Sequence, residues 1–144
     1  INTWIETNGT SHQLGQLVLH VDHLIMDLKH YDDEIHKNVT GISNKEIKHN
    51  IKNLSEMNKQ VLIRTPLIHG FNDSQSDIDG FLKFYQSIDT RNMTFEILVY
   101  HEYGKEKWEQ AGLSYQVKDG YVAGQRKKEF EEKYQMQGLN VIHT

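Results

Sequence analysis

The sequence predicts an α/β fold, a partial (β/α) barrel in which parallel strands alternate with helices. Three observations carry this expectation. Apolar segments of strand length recur along the chain, amphipathic helical patterns lie between them, and each apolar segment ends in polar residues. Strand, helix, strand, helix, strand is the signature of parallel βαβ units. Residues 1–144 read as one domain, long enough to enclose a sizeable core.

The first strand is expected at 2–7 ("NTWIET") and the second at 23–28 ("HLIMDL"). Then "HYDDEIHKNVTGISN" reads as a long βα connection. Ser43 and Glu46 fit a capping box, and Ile47, Ile51 and Leu54 come next at i, i+4 and i+7 as one apolar stripe. The third strand, "VLIRTP" at 61–66, is closed by Pro66, where no ladder bond is lost. A second helix starts near Ser74 and carries Ile78, Phe81, Leu82, Tyr85 and Ile88. "FEILVY" at 95–100 is the fourth strand. A weaker helix spans Gln125 to Met136, with Phe130 and Tyr134 on one face and Gly138 as its C-cap; "LNVI" reads as a last short strand.

Composition narrows the function. Hydrophobic residues make up 37% and charged residues 25%, as in a soluble globular protein. A net charge of -4 gives no electrostatic case for nucleic acid or an acidic membrane surface. The apolar runs are too short to span a bilayer, and no secretory leader is expected. There is no cysteine, hence no thiolate metal site, which suits the cytoplasm. "INTWIET" opens without a methionine and already reads as a strand, so the chain is expected to be a piece of a longer protein. Its first strand should then be an open edge, prone to self-association.

The functional signal lies in the residues at and just after the strand ends. These are Glu6-Thr7-Asn8, then Asp27 and Lys29, then Arg64-Thr65, then Tyr100-His101-Glu102. Parallel strands place all their carboxyl ends on one side, where barrels build their sites. Asp27 and Lys29 are two apart, so both point to the same face of a strand. Acids (Glu6, Asp27), cations (Lys29, Arg64), an imidazole (His101) and small donors (Thr7, Thr65) suit a zwitterionic or polyhydroxylated ligand. No glycine-rich phosphate loop and no G-x-S-x-G elbow is present. The nine histidines, among them His20, His23, His30 and His36, show no strong ligand spacing and are expected mostly on the surface or in loops.

"ETNG", "IMDLKHYDDEIHKNVTGISN", "VLIRTPLIHGFND" and "FEILVYHEYGKEKWEQAGLSY" occur in this order and together resemble the later half of glycyl-radical-enzyme activating enzymes, of the pyruvate formate-lyase activase type. The family pattern has D-x-K, T-G-x-S-N, I-R-x-P with a later G-x-N-D, and a Y-H tail. Val99 and His69 stand where the family carries proline. The family's C-x-x-x-C-x-x-C motif for a 4Fe–4S cluster, and its glycine-rich S-adenosylmethionine segment, are missing.

The resemblance implies the C-terminal portion of a radical S-adenosylmethionine barrel. The whole enzyme would form a 5′-deoxyadenosyl radical, with flavodoxin or ferredoxin as reductant, and take a hydrogen from a glycine of a partner enzyme such as pyruvate formate-lyase. By alignment, Asp27, Lys29, Arg64 and His101 fall on positions lining the S-adenosylmethionine pocket. Glu6, Thr7, the backbone of Ile25 and Asp27 match a monovalent-cation site, and the long connection after Lys29 is a candidate for steering the partner's glycyl loop. The portion present would not act alone. Two rivals are a small (β/α) lyase with Lys29 as a Schiff-base nucleophile activated by Arg64, and a non-catalytic interaction module.

Overall fold

A computed structural model of the chain describes residues 1–57 and 59–144. Strands β1 (Trp4–Thr7), β2 (His23–Asp27), β3 (Val61–Leu67), β4 (Met93–Val99) and β5 (Val141–Ile142) form one sheet in the order β1-β2-β3-β4-β5. Every neighbouring pair is parallel. Helices α1 (Leu14–Leu17), α2 (Asp33–Thr40), α3 (Lys45–Glu56), α4 (Gln75–Tyr85), α5 (Lys105–Gln110) and α6 (Gly124–Met136) lie between them. The expected α/β class, with parallel strands alternating with helices, is borne out.

The strictly sequential order positions the site. Crossovers between parallel strands are right-handed, so a sheet that never reverses its order collects its helices on one face. Burial agrees. Leu24 and Met26 of β2, Val61, Ile63 and Leu67 of β3, and Met93, Phe95 and Ile97 of β4 join one core with Ile51 of α3, Phe81 of α4 and Tyr134 of α6. The alternate positions Glu6, Asp27, Leu62, Arg64, Thr94 and Leu98 face the other way and stay half-buried or exposed. One face is covered; the other is open, as in a barrel segment.

Several elements differ from expectation. The stretch read as a connection contains α2, whose start is capped by Asp32 accepting the Ile35 N–H at 3.0 Å and whose end is Gly41 at φ 79°. The capping box at Ser43 does not form. Asn44 takes the N-cap of α3 without a side-chain bond, while Ser43, one residue before it, donates its Oγ–H to Asp33 Oδ1 at 2.5 Å and accepts the Lys45 N–H at 3.3 Å. A complete box does form on α4, between Ser74 and Asp77. Gly138, at φ 80°, comes just after the end of α6 as expected, its N–H donating to Gln135 O at 2.9 Å. α5 has no counterpart among the expected elements, since none of its residues is buried.

Pro66 lies inside β3 rather than just after it. Leu28 N–H donates to Arg64 O at 3.0 Å, so the polar groups of Arg64 point toward β2. Two residues on, those of Pro66 point the same way, but β2 pairs with β3 only as far as Asp27–Arg64. The missing N–H therefore costs no ladder bond. Among the described residues no helix is long and apolar enough to cross a membrane.

Candidate functional site

Strand β2 and the chain just beyond it build the centre of the site. Leu24, Met26 and Leu28 turn into the helix layer, where they are buried, while Asp27 and Lys29 point to the open face. There Lys29 Nζ lies 2.5 Å from Asp27 Oδ2. In the same register row, Asp27 sits beside Arg64 and Arg64 beside Glu96. The Arg64 guanidinium bridges two carboxylates, with Nη1 3.0 Å from Glu6 Oε2 and Nε 2.6 Å from Glu96 Oε2. Burial works against its charge, yet Glu96 and Glu6 outweigh it and hold Arg64 above its usual range. Glu96 is missing from the sequence reading because it sits within the apolar run "FEILVY"; an acid inside such a run was the available signal.

The structure brings Glu6, Asp27, Lys29 and Arg64 together and does not bring the rest. Thr65 was expected as a donor at the mouth, but it is the strand neighbour of Arg64 and so points to the opposite face. It is buried there, close to the fully buried phenols of Tyr85 and Tyr134. Thr7 likewise alternates away from Glu6, and its hydroxyl accepts the Gly9 N–H at 3.1 Å. Gly9 has φ +74°, and a Cβ there would meet the buried Met26 side chain at 2.8 Å, so only glycine fits this turn. His101 is exposed, with its ring stacked on Tyr103 at 4.3 Å. Among the described residues it makes no hydrogen bond or ion pair with the charged row.

Beside Lys29 opens a cleft of about 220 Å³, lined in part by Asn8, Thr10, Asp27, Lys29, His36 and Thr40. His36 is buried, contrary to the surface or loop placement expected for most histidines, and its Nδ1 lies 2.7 Å from Ile42 O. The loops around the cleft are held by buried asparagines. Asn72 Nδ2 donates to Lys29 O at 2.7 Å and Pro66 O at 2.8 Å, while its Oδ1 accepts the Ile68 N–H at 2.8 Å. Asn44 Nδ2 donates to His30 O at 2.7 Å and Tyr31 O at 3.1 Å; Asn50 Nδ2 donates to Gly9 O and Ser11 O, both at 2.9 Å. Buried carbonyls need such partners, and here side chains supply them. Sequence periodicity cannot find them, because the partners are backbone groups up to 43 residues away.

His30, next to Lys29, lies in a loop as expected, yet it is completely buried. Its Nδ1 accepts the Asp32 N–H at 2.9 Å, which places the proton on Nε2, 3.2 Å from Asp77 Oδ1 and off the line of a good hydrogen bond. Burial pushes the imidazole below its ordinary range, against the pull of Asp77. The unfolded chain takes up this proton near about pH 6.5 while the native chain resists it, so stability is flat above that pH and falls below it. Urea unfolding at about pH 8 and about pH 5 should show this loss. His30→Asn, which keeps an acceptor for the Asp32 N–H, should reduce it. An unchanged acid sensitivity in the variant would remove His30 as its source.

A one-sided parallel sheet with its charged residues at the carboxyl ends of the strands defines a segment of a (β/α) barrel. The fold matches a crystal structure of a domain of pyruvate-formate lyase-activating enzyme from Bacteroides vulgatus ATCC 8482, with a TM-score of 0.79 and 19% identity over 99% of this chain and 80% of that one. It also matches a radical SAM methyltransferase from Sphaerobacter thermophilus, with a TM-score of 0.71 and 15% identity over 96% of this chain and 39% of that one. By sequence, the chain is similar to the pyruvate formate-lyase-activating enzyme of Staphylococcus aureus (strain USA300), 33% identical over 114 residues, or 79% of this chain. These findings bear out the activase resemblance. The match spans 45% of that relative, about half its length. No family model matches the chain.

Proposed function

We propose that this chain forms the cofactor-pocket portion of a radical S-adenosylmethionine activase, one that generates a glycyl radical on a partner enzyme of the pyruvate formate-lyase type. The observation that carries this reading is the row of paired charges at the carboxyl ends of the strands, Glu6–Arg64–Glu96 and Asp27–Lys29. S-adenosylmethionine offers an ammonium, a carboxylate and ribose hydroxyls. Asp27 suits the ammonium or the ribose, and Lys29 and Arg64 suit the carboxylate; His101, exposed beyond the end of β4, would have to turn inward to reach the ligand. In the whole enzyme this cofactor would, on one-electron reduction from flavodoxin or ferredoxin and with release of methionine, supply the 5′-deoxyadenosyl radical for hydrogen abstraction from one glycine of the partner. Thiolates hold 4Fe–4S clusters, and the chain has no cysteine. These 144 residues therefore do not fit the cluster, and the reductive step is not theirs alone.

Glu6, the Ile25 carbonyl and Asp27 would hold a monovalent cation, whereas the Thr7 hydroxyl, turned to the opposite face, stands outside the set. These ligands lie on adjacent strands, with Glu6 in register with Ile25, and an all-oxygen set suits a hard ion. Such an ion competes with Arg64 for Glu6 and with Lys29 for Asp27. The segment from His30 to Asn44, with α2, borders the same cleft and would steer the partner's glycyl loop. This is cytoplasmic chemistry and calls for neither nucleic acid nor membrane. A Schiff-base lyase fits the geometry less well, because Lys29 is committed to Asp27 and its activating cation, Arg64, to two carboxylates.

Nitrogen-resolved NMR tests the reading. Titration with S-adenosylmethionine into the millimolar range should shift the amides of Asp27, Lys29 and Arg64, with an affinity weaker than micromolar. Shifts confined to other surfaces, or none at all, would sink it.

A further inference from the structure

Glu96 is a buried carboxylate on the open face, and the proposed function gives it no task. Its side chain is 5% exposed, against 62% for Glu6, the other partner of Arg64. An exposed pair holds a long side chain only loosely, whereas a buried, short, charge-assisted bond fixes it. Glu96 and Arg64 are register neighbours on β4 and β3, and the bond runs through Nε, the atom nearest the arginine stem. Fixing Nε sets the plane of the whole guanidinium. The donors then divide simply: Nε–H donates to Glu96 Oε2, Nη1 forms only an ion pair with Glu6, and Nη2 is left over. Among the described residues, Nη2 has no hydrogen-bond partner.

We propose that Glu96 is a positioning residue, which aims the free Nη2 edge of Arg64 at the carboxylate of the ligand's amino-acid portion. The inference rests on the proposed placing of Arg64 in the S-adenosylmethionine pocket. A guanidinium edge with parallel N–H groups matches a carboxylate, and the match is lost when the plane turns. Glu6 cannot substitute for Glu96, because it is mostly exposed and reaches only Nη1.

Two ligands separate aiming from general support: S-adenosylhomocysteine, which carries the amino-acid carboxylate, and 5′-methylthioadenosine, which lacks it. Both are titrated by NMR into the chain and into Glu96→Gln, which keeps the shape of the side chain without its charge. The variant should bind S-adenosylhomocysteine about tenfold more weakly and 5′-methylthioadenosine within about twofold of the parent. Equal losses for the two ligands, or no loss for either, overturn the proposal. The Arg64 Nε–H signal is monitored in parallel. It should be protected from solvent exchange in the parent and lose that protection in Glu96→Ala, which removes the acceptor; a parent Nε–H without protection, or protection retained in Glu96→Ala, also overturns the proposal. If the parent chain binds neither ligand, the pocket reading itself falls, and the Nε–H signal alone decides whether Glu96 fixes Arg64.

Discussion

Asn72→Ala should lower the unfolding free energy by about 3–5 kcal/mol, from about 1 kcal/mol for each of three hydrogen bonds plus the cost of leaving buried groups unpaired. Asn72 is completely buried and its amide has no slack, since the nitrogen serves Lys29 O and Pro66 O while the oxygen serves Ile68 N–H. For a chain of this size the melting temperature should fall by about 10 °C or more in scanning calorimetry. Asn72→Asp should be no better, because a carboxylate presents oxygen to two carbonyls that need a donor. A loss below about 1 kcal/mol would mean that the asparagine is not the clamp described. The same substitution should loosen Lys29, whose backbone is held at this point.

Gly80→Ala should also destabilise, although alanine is the better helix former by about 1 kcal/mol. A Cβ at Gly80 would lie 2.3 Å from Tyr31 Cε2 and Cζ. Tyr31 cannot slide away freely, because its ring is stacked on His30 at 4.7 Å and meets Phe81 edge-on at 5.5 Å. Overpacking of this kind costs about 1–3 kcal/mol, so a net loss of about 2 kcal/mol is expected once the severity of the clash is weighed against propensity. The sign should reverse in a Tyr31→Ala background, where the clash is gone and only the helix gain of up to about 1 kcal/mol remains. A double-mutant cycle by urea denaturation reads both values. Additive effects would show that the ring and the glycine do not oppose each other.

The strands were legible because period and length are local properties: all four main segments appear within two residues of their expected starts, and "LNVI" contains β5. Helices α3, α4 and α6 were legible for the same reason, each carrying an apolar stripe. α2 was missed because its apolar residues are few, although Asp32, the acids Asp33 and Glu34, and Gly41 spelled out its two ends. Ser43 misled because the helix starts one residue later, so Ser43 precedes the N-cap and its hydroxyl meets Lys45 N–H and Asp33 instead of the Glu46 N–H. In the site, alternation placed Asp27 and Lys29 on one face, and the position of Arg64 near the end of its strand put it on the same side of the barrel. The same rule should have sent Thr65 to the other, since it comes directly after Arg64. Who pairs with whom was not legible: Arg64 with Glu6 and Glu96 is a matter of register between strands.

The strand order also bears on how the molecule is made. A sheet whose strands lie side by side in the order of synthesis never asks a late strand to be inserted between two early ones. Each strand emerging from the ribosome meets a finished neighbour, and its crossover helix can settle at once on the face already forming. Each step closes only the crossover between consecutive strands, and the entropy of closing a loop grows only slowly with its length. β5, at one edge of this sheet, is only two residues long and leaves little free edge there to recruit another chain.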